Sequence, residues 1–292
     1  MTTTRLVVGC GYLGQRVARL WREQGDLVFA VTRSAGRAAE FQAQGWQPII
    51  ADILDPTAVA TAIASLPPPE SVLFAVGYDR GAGASIHDVY VQGLRHCCDA
   101  LRERSSRLRS FVYVSSTGVY GRVDGDWVDE STDCVPTREG GRACLEAEQL
   151  LTRGPYGDQT IILRCAGLYG PGRTPQAASI QAGEPISAPA DGFLNLIHID
   201  DAATIAAWAA DHVRPPELFN VADGHPVVRR EYYAELARIL NAPAPVFASP
   251  APDAPAATRA AGGDKRVRSD RLLARLPGPL RYPSYRDGLR AS

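Results

Sequence analysis

Three glycines near the start of the chain, Gly9, Gly11 and Gly14, have the spacing of a phosphate-binding loop. They stand in the segment GCGYLG, between an apolar run and an amphipathic stretch. In such a loop the first glycine permits a tight turn, the second lets the backbone approach a pyrophosphate, and the third lets helix and strand pack closely. The N–H groups and positive dipole end of the next helix then face the phosphates. The pattern predicts a dinucleotide site; the alternative is a glycine-rich turn that only packs against a sheet.

The residues after the second apolar run bear on which dinucleotide would bind. An NAD-selective site usually has Asp or Glu about 20 residues after the loop, bonded to the ribose 2′-OH. Here the segment is VTRS, with Arg33 nineteen residues after Gly14 and Arg37 one helical turn further on. A guanidinium can hold a 2′-phosphate, so we expect NADP in preference to NAD; a solvated Arg33 is the alternative. We expect Asp52, after the third run, to contact the adenine amine, but a helix N-cap or turn residue would also fit.

Six short apolar runs position these residues, and stretches with helical spacing separate them. The runs are Leu6–Val8, Leu27–Val31, Pro48–Ala51, Val72–Val76, Phe111–Val114 and Thr160–Leu163. Their length and their Val and Ile content are typical of strands buried on both faces. The alternation predicts an α/β fold, a doubly wound parallel Rossmann sheet with a smaller C-terminal substrate lobe. We expect residues 1–165 to form the Rossmann domain, with 195–221 returning to it, and residues 166–194 and 222–292 to form the lobe.

Local patterns outside the apolar runs predict a further helix and two irregular segments. Apolar residues from Ile86 to Leu101 recur at helical spacing, which predicts a helix. The segment ISAPADGFLN is rich in turn formers and is predicted to be a loop. Residues 242–263 are rich in Ala and Pro, which predicts an extended surface segment.

Composition excludes several classes of protein. Among the 292 residues, 31 basic side chains nearly balance 32 acidic ones, which argues against a nucleic-acid binder. No apolar run is long enough to span a membrane, and no basic leader with a cleavage site precedes the first strand, so we expect a cytoplasmic protein. The cysteines have no CxxC pairing, which predicts free thiols and no metal site. Only one of the basic residues, Lys265, is a lysine.

Four segments together resemble a known family. They are FVYVSSTGVYG (Phe111–Gly121), LRCAGLYGPGR (Leu163–Arg173), NLIHIDDAA (Asn195–Ala203) and LFNVADG (Leu218–Gly224). The chain resembles the extended short-chain dehydrogenases/reductases, the group of nucleotide-sugar epimerases and dehydratases. This resemblance implies that Ser116 hydrogen-bonds the reacting oxygen of a substrate. Beyond the glycines, Arg33 and Asp52, we expect Tyr12, Leu13, Val76, Ser115 and Leu168 to contact the cofactor.

The chain departs from this family at its catalytic pair, Tyr-x-x-x-Lys on one helix, in which the Tyr transfers a proton and the Lys lowers its pKa. Anchoring on LEAEQLL places Gly140 at the Tyr position and Cys144 at the Lys position. The only lysine, Lys265, has Ala261 four residues before it, so no Tyr-x-x-x-Lys exists in the sequence. The chain therefore resembles an atypical subgroup that lacks the pair.

Several residues are candidates to replace the missing pair. We take Tyr120 as the candidate proton donor, although in relatives this Tyr mainly forms the wall of the site. Arg142 could hold a ribose or an anionic group but cannot act as an acid or base, because a guanidinium stays protonated; a solvated arginine is the alternative. Cys144 is expected to be an apolar thiol. His198 is expected to have a structural role next to a helix start.

Two functions from different classes remain open. The first is an NAD(P)-dependent oxidoreductase or epimerase/dehydratase that acts on a sugar nucleotide or a small carbonyl compound. The second is a non-catalytic NAD(P)-binding sensor or scaffold, which would need no proton donor. The resemblance also implies a homodimer, and neither function predicts a nucleic-acid or membrane partner.

Overall fold

The computed structural model of the chain describes residues 2–122, 124–248 and 264–291. Most of the predicted Ala/Pro-rich segment, from residue 249 onward, lies outside the described residues. The chain forms two compact units. Unit 1 contains Met1–Ser115, Ala143–Leu163 and Ala203–Leu218, and unit 2 contains Ser116–Arg142, Arg164–Ala202 and Phe219–Ser292. The functional division into a Rossmann domain and a substrate lobe stays a prediction.

The strands and helices of the described residues are as follows. The strands are β1 (Thr4–Val8), β2 (Leu27–Thr32), β3 (Gln47–Ile50), β4 (Ser71–Phe74), β5 (Ser110–Ser116), β6 (Trp127–Val128), β7 (Thr160–Cys165), β8 (Gly167–Tyr169), β9 (Ile186–Ser187), β10 (Phe193–Leu194), β11 (Leu196–His198), β12 (Glu217–Val221), β13 (Val227–Val228), β14 (Phe247–Ala248) and β15 (Arg266–Val267). The helices are α1 (Gly14–Glu23), α2 (Ala35–Ala43), α3 (Pro56–Ala64), α4 (Gly93–Leu101), α5 (Glu139–Arg153), α6 (Ala177–Gln181), α7 (Ile199–His212), α8 (Arg229–Ile239), α9 (Asp270–Leu273) and α10 (Tyr285–Arg290).

The central element is a seven-stranded sheet in the order β12-β7-β5-β4-β1-β2-β3. Strand β1 pairs in parallel with both β2 and β4, so that Val8 lies opposite Val31 on one side and Phe74 on the other. The chain runs outward from β1 to β3 and then returns to β4 on the opposite side of β1. This reversal is the switch point of a doubly wound sheet, where parallel α/β folds bind ligands. The predicted α/β fold class is confirmed.

A buried ionic network stabilises the amino-terminal end of unit 1. Arg5 is almost fully buried, and its guanidinium donates to Asp26 Oδ2 at 2.8 Å and contacts Asp211 Oδ1 at 2.6 Å. It also donates to Ser71 Oγ at 2.8 Å and lies 5.0 Å from the centre of the Trp21 ring. Such a network is costly to break, because removal of one partner leaves the others buried and unpaired.

The helix predicted from Ile86 onward is interrupted by one π-helical turn. This turn spans Asp88–Gln92 and leads into α4 at Gly93. A Cβ on Gly93 would lie 2.6 Å from the Ile53 side chain, so this helix packs closely against the segment after β3. Such a π-turn replaces the regular i to i−4 pattern locally, which apolar spacing does not reveal.

Unit 2 has a core of its own and short strands in place of a large sheet. Its core includes the buried rings of Tyr169, Tyr232 and Tyr285. The predicted loop ISAPADGFLN contains the two-residue strands β9 and β10, which pair with β14 and β13 respectively. Partners this distant in sequence leave no local signal, which is why the segment resembles a loop. In the described part of the chain, no helix is both long and apolar enough to cross a bilayer.

Candidate functional site

Unit 1 contains a cavity of about 300 Å³ at the carboxyl ends of its strands. Residues that follow β1, β2, β3 and β4 line it, which places it at the switch point of the sheet. The predicted cofactor residues among its lining are Gly9, Gly11, Arg33, Asp52 and Val76. The predicted residues Tyr12, Leu13, Gly14, Ser115 and Leu168 are not among the lining residues.

The steric surroundings of the three loop glycines differ. Gly9 has φ +88°, and a Cβ there would lie 2.5 Å from the backbone nitrogen of Val76. A Cβ on Gly14 would overlap the carbonyl oxygen of Gly9 and lie 3.1 Å from a Val7 methyl group. A Cβ on Gly11 would meet nothing within 4 Å, so this backbone borders open space in the cavity. The loop therefore combines two tightly packed glycines with one that leaves room for a ligand.

The start of α1 has the features of an anion-binding helix end. No side chain caps its first N–H groups, and its first turn carries no carboxylate. Buried Leu13 stands at the cap position. The Arg16 guanidinium donates to the carbonyl oxygen of Tyr12 at 2.8 Å and lies 4.6 Å from the Tyr12 ring centre. An uncapped helix start attracts a phosphate through its N–H groups and dipole.

The two arginines after β2 have different surroundings. The Arg33 guanidinium is exposed, and its closest carboxylate oxygen in an ion pair, Asp79 Oδ2, is 3.9 Å away. Arg37 is half-buried and donates to the carbonyl oxygen of Cys10 at 2.5 Å, which ties α2 to the glycine loop. Ser34 caps α2 by accepting from the Arg37 N–H. Arg33 and the start of α2 thus present positive charge without a neighbouring carboxylate on β2.

Two further residues at this cavity have local structural roles. One carboxylate oxygen of Asp52 accepts from the Leu54 N–H at 3.0 Å, which is the bond of a turn residue. Its contact with an adenine stays a prediction. Burial raises the pKa of the Cys10 thiol to about 12, so this thiol stays protonated at neutral pH.

The adjacent serines at the end of β5 point to different partners. Ser115 Oγ donates to the buried Glu148 carboxylate at 2.5 Å. Ser116 is half-buried, and its Oγ accepts from the Gly118 N–H at 3.0 Å in the turn after the strand. Alternation along a strand explains this difference. Sequence reasoning did not single out Glu148, although it stands within the LEAEQLL segment. The roles of both serines at a cofactor or substrate stay predictions.

The hydroxyl of Tyr120 is enclosed within unit 2. It donates to Asn220 Oδ1 at 2.9 Å and accepts from Arg164 Nη1 at 2.8 Å, and the side chain is fully buried. Burial raises the pKa of this hydroxyl to about 12, against the opposing effect of Arg164. Proton transfer from Tyr120 would require this network to open. Its catalytic role stays a prediction.

The other candidates for the missing pair lie in ordinary structural environments. Cys144 is buried, and burial raises the pKa of its thiol to about 12. The exposed side chain of Arg142 donates to the Thr137 carbonyl oxygen at 2.9 Å. His198 is buried, and its Nδ1 accepts from the Asp200 N–H at 3.3 Å at the start of α7. In the described residues, no cluster of His, Cys, Asp and Glu is arranged to hold a metal ion.

Comparison with protein families and with curated proteins gives matches over much of the chain. The model of the NAD dependent epimerase/dehydratase family matches residues 5–222. Protein YeeZ of Escherichia coli strain K12 is 30% identical over 198 residues, which cover 67% of this chain and 66% of YeeZ. The match therefore spans slightly less than two thirds of the length of YeeZ.

Solved structures match the chain over its length. A conserved protein from Silicibacter pomeroyi DSS is 30% identical with a TM-score of 0.82, covering 99% of this chain and 98% of that one. A protein from Methylobacillus flagellatus, described as an NAD-dependent epimerase/dehydratase, is 32% identical with a TM-score of 0.78, covering 100% and 97%. UDP-glucose 4-epimerase from Thermotoga maritima, solved with UDP-glucose, has a TM-score of 0.81 at 19% identity, covering 99% and 97%, and shows the fold alone.

These matches confirm the resemblance inferred from the four sequence segments. The family model covers the glycine loop, the end of β5 and the β12 region in one continuous match. The chain therefore belongs to the NAD-dependent epimerase/dehydratase family.

Proposed function

We propose that the chain binds NADP in the cavity of unit 1 and acts as an oxidoreductase or epimerase/dehydratase on a sugar nucleotide or small carbonyl compound. The main support for this proposal is the glycine loop, which borders a cavity at the switch point of the sheet and leads into an uncapped helix start. The loop and the start of α1 would hold the pyrophosphate through backbone N–H groups. NAD is the alternative cofactor.

The preference for NADP rests on charge at the end of β2. A ribose 2′-phosphate carries negative charge that an acidic residue at this position would repel, and none is present in VTRS. The exposed guanidinium of Arg33 can bind a phosphate through two N–H groups, since its ion pair with Asp79 is long at 3.9 Å. Arg37 supports the loop through Cys10 and adds a second positive charge nearby.

Cofactor affinity measured by NADPH and NADH fluorescence titration tests this preference. We expect tighter binding of NADPH, and Arg33→Ala should weaken it about 10- to 100-fold, the loss expected for one charge-assisted contact. NADH affinity should stay unchanged in this variant. Arg19→Ala removes an exposed arginine of α1 outside the cavity lining and serves as the matched control. Tighter NADH binding that is insensitive to Arg33→Ala would reject the NADP preference.

The glycine loop, the start of α1 and Arg33 would hold the cofactor, which when bound would supply hydride-transfer chemistry. Ser116 would donate a hydrogen bond to the substrate oxygen as charge changes on it, since within the described residues its hydroxyl accepts from Gly118 N–H and its own hydrogen is not donated. Tyr120 remains the candidate proton donor from the sequence, and its bonds to Arg164 and Asn220 would have to rearrange. The sugar-nucleotide substrate class is supported by the Thermotoga maritima epimerase, which shares the fold and was solved with UDP-glucose. We also propose that the protein is cytoplasmic and forms a homodimer.

The second candidate function is a non-catalytic sensor of the cofactor. The enclosed Tyr120 hydroxyl and the absence of Tyr-x-x-x-Lys from the sequence favour it. A screen of sugar nucleotides and small carbonyl compounds separates the two functions. Turnover is monitored by the absorbance change when the nicotinamide is oxidised or reduced. Turnover that is lost in Ser116→Ala supports the enzyme. Cofactor binding without turnover supports the sensor.

A further inference from the structure

One ion pair lies across the cavity of unit 1. Arg33 follows β2 and Asp79 follows β4, and these two strands pair with opposite sides of β1. At the usual strand spacing, two strands separated by a third lie about 10 Å apart. Arg33 Nη2 nevertheless lies 3.9 Å from Asp79 Oδ2, and both residues line the cavity. The pair therefore joins the two loops that stand on either side of the glycine loop.

Local structure holds the Asp79 carboxylate on its side of the cavity. Asp79 caps a single 3₁₀-helical turn, Arg80–Ala82, and its Oδ1 accepts from the Gly81 N–H at 2.9 Å. The Ala82 N–H also donates to the Asp79 carbonyl oxygen at 3.2 Å. The second carboxylate oxygen, Oδ2, is the one closer to Arg33. The cap bond thus fixes the position of this carboxylate in the cavity wall.

The ion pair itself is weak. The side chains of Arg33 and Asp79 are 54% and 64% exposed, and a separation of 3.9 Å is too long for a hydrogen bond. Ion pairs this exposed contribute little to stability, because water already solvates both charges. A phosphate that accepted two N–H groups from the guanidinium would bind it more strongly. A ligand phosphate can therefore displace Asp79 from Arg33 at a small cost.

The two side chains favour different groups at the ribose of a cofactor. If a 2′-phosphate binds Arg33, its charge comes close to Asp79 Oδ2, since that oxygen lies 3.9 Å from a nitrogen of the same guanidinium. Like charges this close repel each other. The ribose 2′-OH of NAD is neutral and can donate to a carboxylate. The other carboxylate of the cavity lining, Asp52, accepts from the Leu54 N–H in its own turn.

We propose that Asp79 is a second determinant of cofactor selectivity, which acts against Arg33 and limits the preference for NADP over NAD. This inference rests on the proposed function, in which the 2′-phosphate binds Arg33. Asp79 is the counter-ion of Arg33, and a 2′-phosphate would take its place. The role is one of selectivity and requires no proton transfer by the carboxylate.

Calorimetric titration with ADP-ribose 2′-phosphate and with ADP-ribose tests the proposal. The two ligands differ only in the 2′-phosphate and lack the nicotinamide, so the ratio of their affinities isolates the phosphate. Asp79→Asn removes the charge and keeps an oxygen that can cap the Gly81 N–H. We expect this variant to raise the ratio in favour of the phosphate about three- to tenfold, from repulsion over about 6 Å in water that salt partly screens. High ionic strength should reduce this effect, and Arg33→Ala should lower the ratio.

A matched variant separates this effect from a general change in charge. Asp88→Asn removes another exposed carboxylate between β4 and α4 that is not among the cavity lining, and it should leave the ratio unchanged. The proposal is overturned if Asp79→Asn leaves the ratio unchanged or lowers it, or if Asp88→Asn raises it equally. It is also overturned if ADP-ribose 2′-phosphate does not bind. Binding that depends on Arg33 but not on Asp79 would reject this inference alone, whereas the expected ratios without turnover of any substrate would reject only the proposed enzyme activity.

Discussion

Replacing Asp223 with asparagine tests whether one buried carboxyl group controls the pH dependence of stability. Asp223 is 3% exposed, and one of its oxygens accepts from the His225 N–H at 2.9 Å. Its Oδ2 is buried and has no hydrogen-bond partner among the described residues. Burial raises the pKa of this carboxyl from 3.8 to about 7, with a smaller contribution from Asp201. The folded protein therefore holds a proton that the unfolded chain releases near pH 4.

The sign and size of the effect follow from this difference in proton affinity. Below pH 4 the carboxyl is neutral in both the folded and the unfolded state, so it does not change the free energy of unfolding with pH. As the pH rises from 4 through 7, the unfolded chain gains the more favourable ionised form, and the free energy of unfolding falls. With about 1.4 kcal/mol for each tenfold change in proton affinity, the loss approaches about 4 kcal/mol above pH 7 for a raise from 3.8 to about 7. Relaxation around the charged group makes this figure an upper bound.

Urea unfolding at pH 4.5, 6 and 8 measures the effect. The amide of Asp223→Asn stays neutral but buries an N–H group without an acceptor, which costs about 1–3 kcal/mol. We therefore expect the variant to be less stable than the original protein at pH 4.5 and more stable by about 1–3 kcal/mol at pH 8. Asp129→Asn is the control, because hydrogen bonds from Ser131 lower the pKa of Asp129 in the folded protein. Removing this carboxylate should therefore lower the free energy of unfolding at high pH, the opposite of the effect expected for Asp223→Asn. If the free energy of unfolding changed with pH equally in Asp223→Asn and in the original protein, the reasoning would be refuted.

Four further substitutions test packing and polar contacts in unit 1. Arg5→Met leaves two carboxylates without their shared cation, and we expect the free energy of unfolding in urea to fall by about 3–5 kcal/mol. Gly9→Ala places a Cβ 2.5 Å from the backbone that follows β4, so we expect more than about tenfold weaker cofactor binding in fluorescence titrations. Gly25→Ala, which has the same φ of +88° but open space around it, should lower stability by about 1 kcal/mol and leave cofactor binding unchanged. Ser115→Ala removes one donor to the buried Glu148 carboxylate and should cost about 1–3 kcal/mol in urea unfolding.

Each of these expectations has a clear contrary result. An Arg5→Met variant as stable as the original protein would mean that the network contributes nothing to stability. Equal cofactor binding in Gly9→Ala would remove the steric argument for the glycine loop. No stability loss in Ser115→Ala would mean that Glu148 is satisfied without this serine. Thermal unfolding of the same variants shows whether each variant is folded at the temperature of the measurement, so that a change in cofactor binding is not mistaken for unfolding.

The glycine loop and the strand-and-helix alternation were predictable because their signals are local. Apolar runs of strand length, helical spacing between them and the glycine pattern all lie within short windows of sequence, and the sheet order β12-β7-β5-β4-β1-β2-β3 agrees with the predicted fold class. The two-residue strands β9 and β10 escaped prediction because their partners β14 and β13 are distant in sequence. The π-turn before α4 escaped it because a short set of apolar positions does not distinguish one turn of i to i−5 hydrogen bonds from the usual i to i−4 bonds.

The sequence by itself determined the family segments, the glycine loop, the lack of an acid after β2 and the absence of Tyr-x-x-x-Lys, since each depends only on residue type and spacing. The tertiary structure alone decided what surrounds each side chain. Tyr120 is enclosed by Asn220, one hundred residues away, and by Arg164, and Arg37 is bound to Cys10 across the loop. The burial of Lys265 likewise depends on strands that meet only after folding. Burial and partnership set the pKa and the availability of a group, and both arise from contacts between distant parts of the chain.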